Sequence, residues 1–489
     1  MRTDRRILLA HSFFLAHDAK QTRKMKPYPP LATLITASVL REAGHRVSLF
    51  DATLSAGEEE FAAALAATKP DVVGLLEDNF NFLTKMCTTR MREAALRMIR
   101  MAKETGVPVA VNGSDASDRP EIYLEAGADA VILGETERTL PELLDALPGG
   151  SSGELSRLAG LALPGPSGSV LRTAPRPFVN DLDALPLPAW DLVDVSRYRS
   201  AWEAAHGRFS WNVVTTRGCP FHCNWCAKPL YGTRYAQRSP DAVAEELRKL
   251  MGFVAPAHVW FADDIFGLTP RWIESFAEKV AARGSRIPFT MQSRADLMTP
   301  SSVAALAASG CEEVWMGVES GSQKILDAMD KGIRVGQVRR ATHLLRDRGI
   351  RVAWFLQLGY TGEGWEDLLA TRELLRSERP DDIGVSVAYP LPGTLFHERV
   401  KAQLTARTNW RNTDDLAMLF EGTYSSDFYR QVRDLLHAEA FSFKAPHSDL
   451  AAAGIDGAWA DLERQESADR TRRSGRGEDG LLRAAGGGP

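Results

Sequence analysis

No stretch of this 489-residue sequence reaches the ~18 consecutive apolar residues that a membrane-spanning helix needs. No membrane span is therefore predicted. Cysteine is scarce: the chain has five, too few and too unevenly placed for the disulfide framework of a secreted protein. Charge of one sign is lacking too, since 59 Lys and Arg stand against 63 Asp and Glu, a net charge of −4. Nucleic-acid binders carry a basic patch or domain, so no nucleic-acid partner is expected. Apolar content of 44% and charged content of 25% are ordinary for globular domains. The length allows two or three of them. Arg2, Arg5 and Arg6 ahead of the apolar run 7–10 resemble a short signal peptide. His11, Ser12 and His17 break up that pattern, and the run has the length of one buried strand, which is the expectation here.

Three of the five cysteines lie in one run, Thr216-Arg217-Gly218-Cys219-Pro220-Phe221-His222-Cys223-Asn224-Trp225-Cys226, spaced C-x3-C-x2-C. Three thiolates are too many for a disulfide and one short of a closed structural zinc site. An iron–sulfur cubane offers four irons, so three cysteines leave one open corner that can chelate a substrate or cofactor. His222 could complete a zinc knuckle instead, but that reading leaves the rest of the chain unexplained. Ligands that must stay thiolates fit a reducing, cytoplasmic compartment.

Residues 5–147 alternate short apolar runs, at 7–10, 46–50, 72–76, 107–111 and 128–133, with helical stretches. Strand–helix repetition of this kind reads as an α/β doubly wound, Rossmann-like parallel sheet. Such sheets bind ligands in the loops beyond their strands' carboxyl ends, here 12–30, 77–85, 112–119 and 134–139. Domain 1–147 is followed by a Gly/Ser/Pro-rich stretch, 148–204, expected as a linker. Across 205–398 six β/α units follow in a row, with strands predicted at 211–215, 258–261, 289–292, 313–318, 351–356 and 383–388. These predict a partial (β/α)6 barrel with its active site at the strands' carboxyl ends. The cysteine loop directly follows the first of them. A small helical C-terminal region is expected over 399–465 and a disordered tail over 466–489. Cys87 and Cys311 stand alone and read as small buried residues.

The cysteine motif and its strand–loop setting resemble the radical S-adenosylmethionine superfamily, and the resemblance covers most of the chain. It implies a [4Fe–4S] cluster on Cys219, Cys223 and Cys226, with S-adenosylmethionine on the open iron beside Trp225. Asp263 or Asp264, after the second barrel strand, would then hold the methionine ammonium; a helix N-cap is their alternative role. Arg294 could meet a carboxylate bidentately, and Glu319 and Ser320 the ribose hydroxyls; surface or capping roles are open to all three. The turn 359–363 resembles the family's Gly-x-Pro-Gly-Glu, with Thr361 in place of Pro. Segment 388–394 would line the substrate side, with Tyr389 the candidate catalytic residue.

Three stretches of the first domain, 27–32, 43–51 and 134–137, resemble the cobalamin-binding domain that precedes many such barrels. The resemblance implies a corrin on the sheet's loops, with Gly113, Gly134 and Glu135 among its contacts. The Asp-x-His-x-x-Gly motif that gives cobalt a lower His ligand is missing. Asp115 stands where the family often has His. Together these features imply a cobalamin-dependent radical C-methyltransferase acting on a small-molecule, lipid or peptide substrate, with an electron donor such as flavodoxin or ferredoxin. The alternative is an oxidative cyclase or ring-rearranging enzyme without net methyl transfer. A tRNA methylthiotransferase would need three further cysteines in the first domain, which holds only Cys87. A non-enzymatic corrinoid carrier would leave the cysteine motif idle.

Overall fold

The computed structural model describes residues 4–147, 152–226, 231–444 and 454–467. Strands β1 (Arg6–Ala10), β2 (Arg46–Phe50), β3 (Val72–Leu76), β4 (Val109–Asn112) and β5 (Ala130–Ile132) form a parallel sheet. Their order is β2-β1-β3-β4-β5. Successive side chains point to opposite faces, so Ile7 and Leu9 bury against the Leu31–Glu42 and Thr136–Ala146 helices. Leu8 and Ala10 bury against the Glu59–Thr68 and Thr89–Glu104 helices. Covering both faces is what requires near-continuous apolar strands. Strand order reverses between β1 and β3, and a sheet of this type takes its ligand at that switch point.

The stretch expected as a linker is corrected by the structure. Strands β6 (Leu161–Pro164) and β7 (Val170–Arg172) extend the sheet antiparallel beyond β5. The helix Val195–His206 is tied to the first domain, with Trp202 Nε1 donating to Pro27 O at 2.7 Å and Tyr198 OH to Asp51 Oδ2 at 2.7 Å. Residues 148–151 lie outside the described residues.

The second sheet begins with β8 (Ser210–Val213). A two-stranded ribbon, β9 (Thr216–Arg217) with β10 (Ala236–Gln237), brackets the cysteine loop. Then come β11 (His258–Phe261), β12 (Phe289–Ser293), β13 (Cys311–Glu319), β14 (Arg351–Leu358) and β15 (Asp382–Val387). All six strands other than the ribbon are parallel and in chain order, β8-β11-β12-β13-β14-β15. Three successive barrel helices start the same way, with a hydroxyl N-cap at Ser239, Thr269 or Thr299 and proline at the first helical position. That pairing satisfies an orphan N–H and pre-sets φ. Val314, Met316, Trp354 and Leu356 are buried in the core that the sheet shares with its helices, each apolar side chain contributing about 1.5–3 kcal/mol. The alternating residues Trp315 and Phe355 face the other way, ring centroids 4.7 Å apart.

The amino end of the barrel is plugged. Tyr28 OH meets Ser210 Oγ at 3.0 Å, Ser210 Oγ meets His258 Nδ1 at 2.8 Å, and His258 Nε2 meets Thr290 Oγ1 at 3.0 Å. Burial pulls the His258 imidazole down to about 3, so it stays neutral between two hydroxyls. Asn212 Nδ2 donates to Pro29 O at 3.0 Å. Segment 27–30 of the first domain therefore packs on the barrel's amino end, where side chains serve stability rather than chemistry. The C-terminal region holds the Leu395–Val400 and Ser426–Ser442 helices and a helix over 454–467. That last helix runs into the expected tail, whose remainder, 468–489, lies outside the described residues.

Candidate active site

The carboxyl ends of the two sheets meet. Arg217, two residues before Cys219, donates Nη1 to Glu135 Oε1 at 2.6 Å and Nη2 to Glu137 Oε1 at 2.5 Å. All three side chains are 4–5% exposed, and the guanidinium also lies near the Phe80 and Tyr231 rings. Burial opposes the Arg217 charge, but Glu137, Tyr231 and Glu135 outweigh it and hold the group fully protonated. Lys85, beyond β3, donates to Asp264, beyond β11, at 2.7 Å. A strap from the C-terminal region crosses the same edge. Asn409 Nδ2 donates to Cys87 O at 2.8 Å, Arg119 Nη1 to Thr408 Oγ1 at 3.0 Å, and Thr413 N to Asp18 Oδ2 at 2.8 Å.

The cysteine loop is fixed from its root. Asp263 Oδ1 accepts from Thr215 N at 2.7 Å and Thr216 N at 2.8 Å, while Oδ2 accepts from the Thr215 hydroxyl at 2.7 Å. Burial raises this carboxyl to about 6 against those donors. Gly218 sits at φ +78°, and a Cβ there would lie 2.0 Å from Arg234 O, so only glycine fits the turn into Cys219. Cys226 N donates to Cys223 O at 3.3 Å, closing the turn between those two cysteines. Arg294 stacks 3.7 Å over the Phe221 ring and lies 3.9 Å from Cys223 Sγ through Nη1.

Lys331 Nζ donates to Glu319 Oε1 at 2.6 Å and lies 6.0 Å from the Trp225 ring. Burial pulls the Lys331 ammonium down, yet Glu319 and Cys223 outweigh it and the net shift is upward. Glu319 adopts φ +64° where the β13–β14 register shifts. A strained residue at a bulge costs about 1–3 kcal/mol and persists where a site needs a side chain re-aimed. Gly317 makes room for the pair, since a Cβ there would sit 2.7 Å from both Glu319 Oε1 and Lys331 Nζ.

Several expected ligands are otherwise engaged. Asp263 locks the loop root and Asp264 bridges to the first domain. Ser320 is buried, its hydroxyl accepting from Ser322 N at 3.1 Å and meeting Thr371 Oγ1 at 3.2 Å. Arg294 pairs with Asp296, and Glu319 with Lys331. Glu135 grips Arg217 and Val179 N rather than an open edge. Gly134 O accepts from Asn112 Nδ2 at 2.9 Å, and Gly113 packs on the Glu77 side chain. Asp115 is not an idle replacement for histidine: Arg92 grips both its oxygens and Tyr123 OH donates to it at 2.7 Å. Tyr389 is buried edge-on to Trp410, and burial raises its phenol well above the usual range. Sequence reasoning missed Lys331, Asn224 and Arg217, although the last two stand inside the cysteine motif.

The B12 binding domain family model matches residues 26–144, and the radical SAM superfamily model matches residues 213–375. An uncharacterized methyltransferase of Pyrococcus horikoshii is 30% identical over 440 residues, covering 85% of this chain and 92% of its own. The chain belongs to the cobalamin-binding radical S-adenosylmethionine family. The anaerobic magnesium-protoporphyrin IX monomethyl ester cyclase of Rubrivivax gelatinosus is 26% identical over 383 residues, covering 76% of this chain and 66% of its own. Two solved structures share the fold. The radical S-adenosylmethionine methyltransferase TsrM of Kitasatospora setae, with cobalamin and a [4Fe–4S] cluster bound, aligns with TM-score 0.67 at 18% identity, over 82% of this chain and 75% of that one. The cobalamin-dependent S-adenosylmethionine radical enzyme OxsB, with aqua-cobalamin and S-adenosylmethionine bound, gives 0.68 at 17%, over 95% and 71%.

The cofactors of this family member are a [4Fe–4S] cluster, S-adenosylmethionine and cobalamin. The residues present fit them. Trp225 Nε1, Ser293 Oγ and Gln357 Oε1, on the cysteine loop and near the carboxyl ends of β12 and β14, are buried without a hydrogen-bond partner among the described residues. Buried polar atoms in native proteins are normally satisfied, so these are suited to a polar ligand at the barrel mouth. Glu77 Oε2 and Ser114 Oγ, beyond β3 and β4, are orphaned in the same way and suit the amide rim of a corrin. Among the described residues no three His, Cys, Asp or Glu side chains are gathered as ligands of a single metal ion. His222, the possible fourth ligand of a zinc knuckle, is exposed. No described helix is long and apolar enough to cross a membrane.

Proposed function

We propose that this radical S-adenosylmethionine, methyltransferase-like enzyme methylates an unactivated carbon of a small-molecule, lipid or peptide substrate. The observation that carries the reading is the buried grip of Glu135 and Glu137 on Arg217, which holds the root of the cysteine loop against the cobalamin-binding domain. When bound, the cluster and S-adenosylmethionine supply a carbon-centred radical and cobalamin supplies a methyl group. The chain's own residues hold and orient these groups.

Cys219, Cys223 and Cys226 would hold the cluster. Lys331, protonated and aimed along the Trp225 side of the loop, would receive a carboxylate. Trp225, Ser293 and Gln357 would offer further polar contacts. Gly113, Gly134, Glu77 and Ser114 would support the corrin. Tyr389, kept protonated by burial, would orient the substrate under Trp410 and exclude water. An electron donor such as flavodoxin or ferredoxin would reduce the site. A second reading, oxidative cyclisation without net methyl transfer, draws support from the Rubrivivax gelatinosus relative and uses the same residues.

Anaerobic reconstitution with iron, sulfide, reductant, S-adenosylmethionine and hydroxocobalamin tests the assignment. 5′-Deoxyadenosine and S-adenosylhomocysteine are expected together, and Cys223→Ala is expected to lose both. 5′-Deoxyadenosine without S-adenosylhomocysteine turns the assignment to the cyclase reading. Neither product from protein with full iron content overturns both readings.

A further inference from the structure

Asn224 lies between Cys223 and Trp225 and is 3% exposed. Its backbone N–H donates to Met329 O at 3.0 Å, and its carbonyl accepts from Phe396 N at 3.0 Å. Its side-chain Oδ1 accepts from Tyr360 OH at 2.6 Å, while Nδ2 donates to Ala328 O at 2.8 Å and Asp330 Oδ2 at 2.7 Å. One residue thus uses its backbone donor and acceptor, both amide hydrogens and the amide oxygen. Only a short primary amide offers two donors and an acceptor at this reach.

The partners are spread around the barrel mouth. Ala328, Met329 and Asp330 end the helix that follows β13. Tyr360 follows β14, and its ring stacks on Phe396 with centroids 4.8 Å apart and 24° between planes. Phe396 opens the helix after segment 388–394, on the substrate side of β15. Asn224 therefore joins the loop after β8 to the loops after β13, β14 and β15. A buried asparagine that merely satisfied itself would need no partners on three separate elements.

We infer that Asn224 is a positioning residue. It sets the orientation of Cys223 and Cys226 and couples them to the substrate-side segment through Phe396 and Tyr360. The inference rests on the reading of these cysteines as cluster ligands. Opening of the substrate-side segment then loosens the cysteine loop, and ordering of the one orders the other.

The test uses the full-length apo protein first, with iodoacetamide alkylation of each cysteine followed by peptide mass spectrometry. Tyr360→Phe removes one hydrogen bond, and alkylation of Cys223 and Cys226 is expected to rise about fivefold as the loop opens more often. Asn224→Asp also sets a carboxylate against Asp330, and a rise on the order of tenfold or more is expected. Buried Cys87 and Cys311 report global unfolding and should stay slow in both variants. After reconstitution, both variants should take up iron but show an altered electron paramagnetic resonance line shape on adding S-adenosylmethionine, which a merely structural role would not move. Unchanged alkylation in Tyr360→Phe together with an unchanged line shape overturns the inference, whatever Asn224→Asp does to folding. Failure of the wild-type protein to take up iron overturns instead the cluster reading beneath it.

Discussion

At the barrel mouth, Asn224, Asp263 and Arg217 use their polar atoms within the protein to fix the cysteine loop from tip to root. At the facing sheet edge, Glu77 Oε2 and Ser114 Oγ are buried with nothing among the described residues to bond. The cysteine loop is pre-organised by protein side chains, whereas the sheet edge, like Trp225 Nε1, Ser293 Oγ and Gln357 Oε1 at the barrel mouth, carries an uncompensated desolvation cost of about 1–3 kcal/mol per orphaned group. A redox site gains from the first arrangement, because its ligands must not move between turnovers. A large polar cofactor gains from the second, because its own amides remove the cost on binding.

Arg217 is where the two edges are joined, and breaking it should have the largest effect. Arg217→Met leaves Glu135 and Glu137 buried without their cation, and loss of one partner of a buried pair costs about 3–5 kcal/mol. Chemical denaturation should show a loss of that size. The triple variant that adds Glu135→Gln and Glu137→Gln should recover much of it, since no charge is then left unpaired. A loss below about 1 kcal/mol, the range of an exposed pair, would show that the two edges are not joined at this point.

One carboxyl of the barrel edge departs from the pattern of the cysteine loop. Glu363 accepts from Gly359 N at 2.6 Å through Oε2, but its Oε1 has no partner among the described residues. Burial raises this group from 4.5 to about 8, so it is protonated at neutral pH. The folded value lies above the unfolded one, so its contribution to stability is complete below pH 4.5 and is lost as pH rises through 8. Glu363→Gln keeps the neutral shape without the titration. Between pH 6 and 9 the wild-type protein should lose about 2–3 kcal/mol relative to this variant, at about 1.4 kcal/mol per pKa unit. Parallel stability curves over that range would place Glu363 with the ionised carboxyls.

The strands were legible because period-2 burial on both faces leaves continuous apolar runs, and β2, β3 and β11 fall where the pattern predicts them. Strands β6 and β7 were not, since runs of four and three residues in a Gly- and Pro-rich stretch become strands only by pairing onto β5. The cysteine triplet stands out from spacing alone, because cluster ligation would fix that spacing. Asp263, Ser320 and Glu135 were read as open to cofactors because a carboxylate or hydroxyl after a strand looks alike whether it faces a ligand or the protein. Partners such as Thr215 for Asp263, Thr371 for Ser320 and Arg217 for Glu135 lie 48, 51 and 82 residues away in sequence. Lys331 left no local signal, since the bulge at Glu319 that brings the two side chains together is a tertiary feature.

Ser114→Ala is the smallest change and bears most directly on the difference between the edges. The hydroxyl is buried and has no partner among the described residues, so removing it should leave apo-protein stability unchanged or raise it by up to about 1 kcal/mol. If the corrin rim uses that hydroxyl, cobalamin affinity should fall by about five- to tenfold, the worth of one hydrogen bond. Calorimetry on the apo protein and titration with hydroxocobalamin separate the two effects. The same change at a pre-satisfied position of the barrel edge, Thr215→Val, should do the reverse. It leaves Asp263 Oδ2 without its hydroxyl donor, lowering apo stability by about 1–3 kcal/mol without touching cobalamin affinity. Opposite signs at the two positions are required if the root of the cysteine loop is completed by protein and the sheet edge by cofactor. A loss of apo stability in Ser114→Ala would mean that its hydroxyl is already satisfied, and the distinction between the edges would fail there.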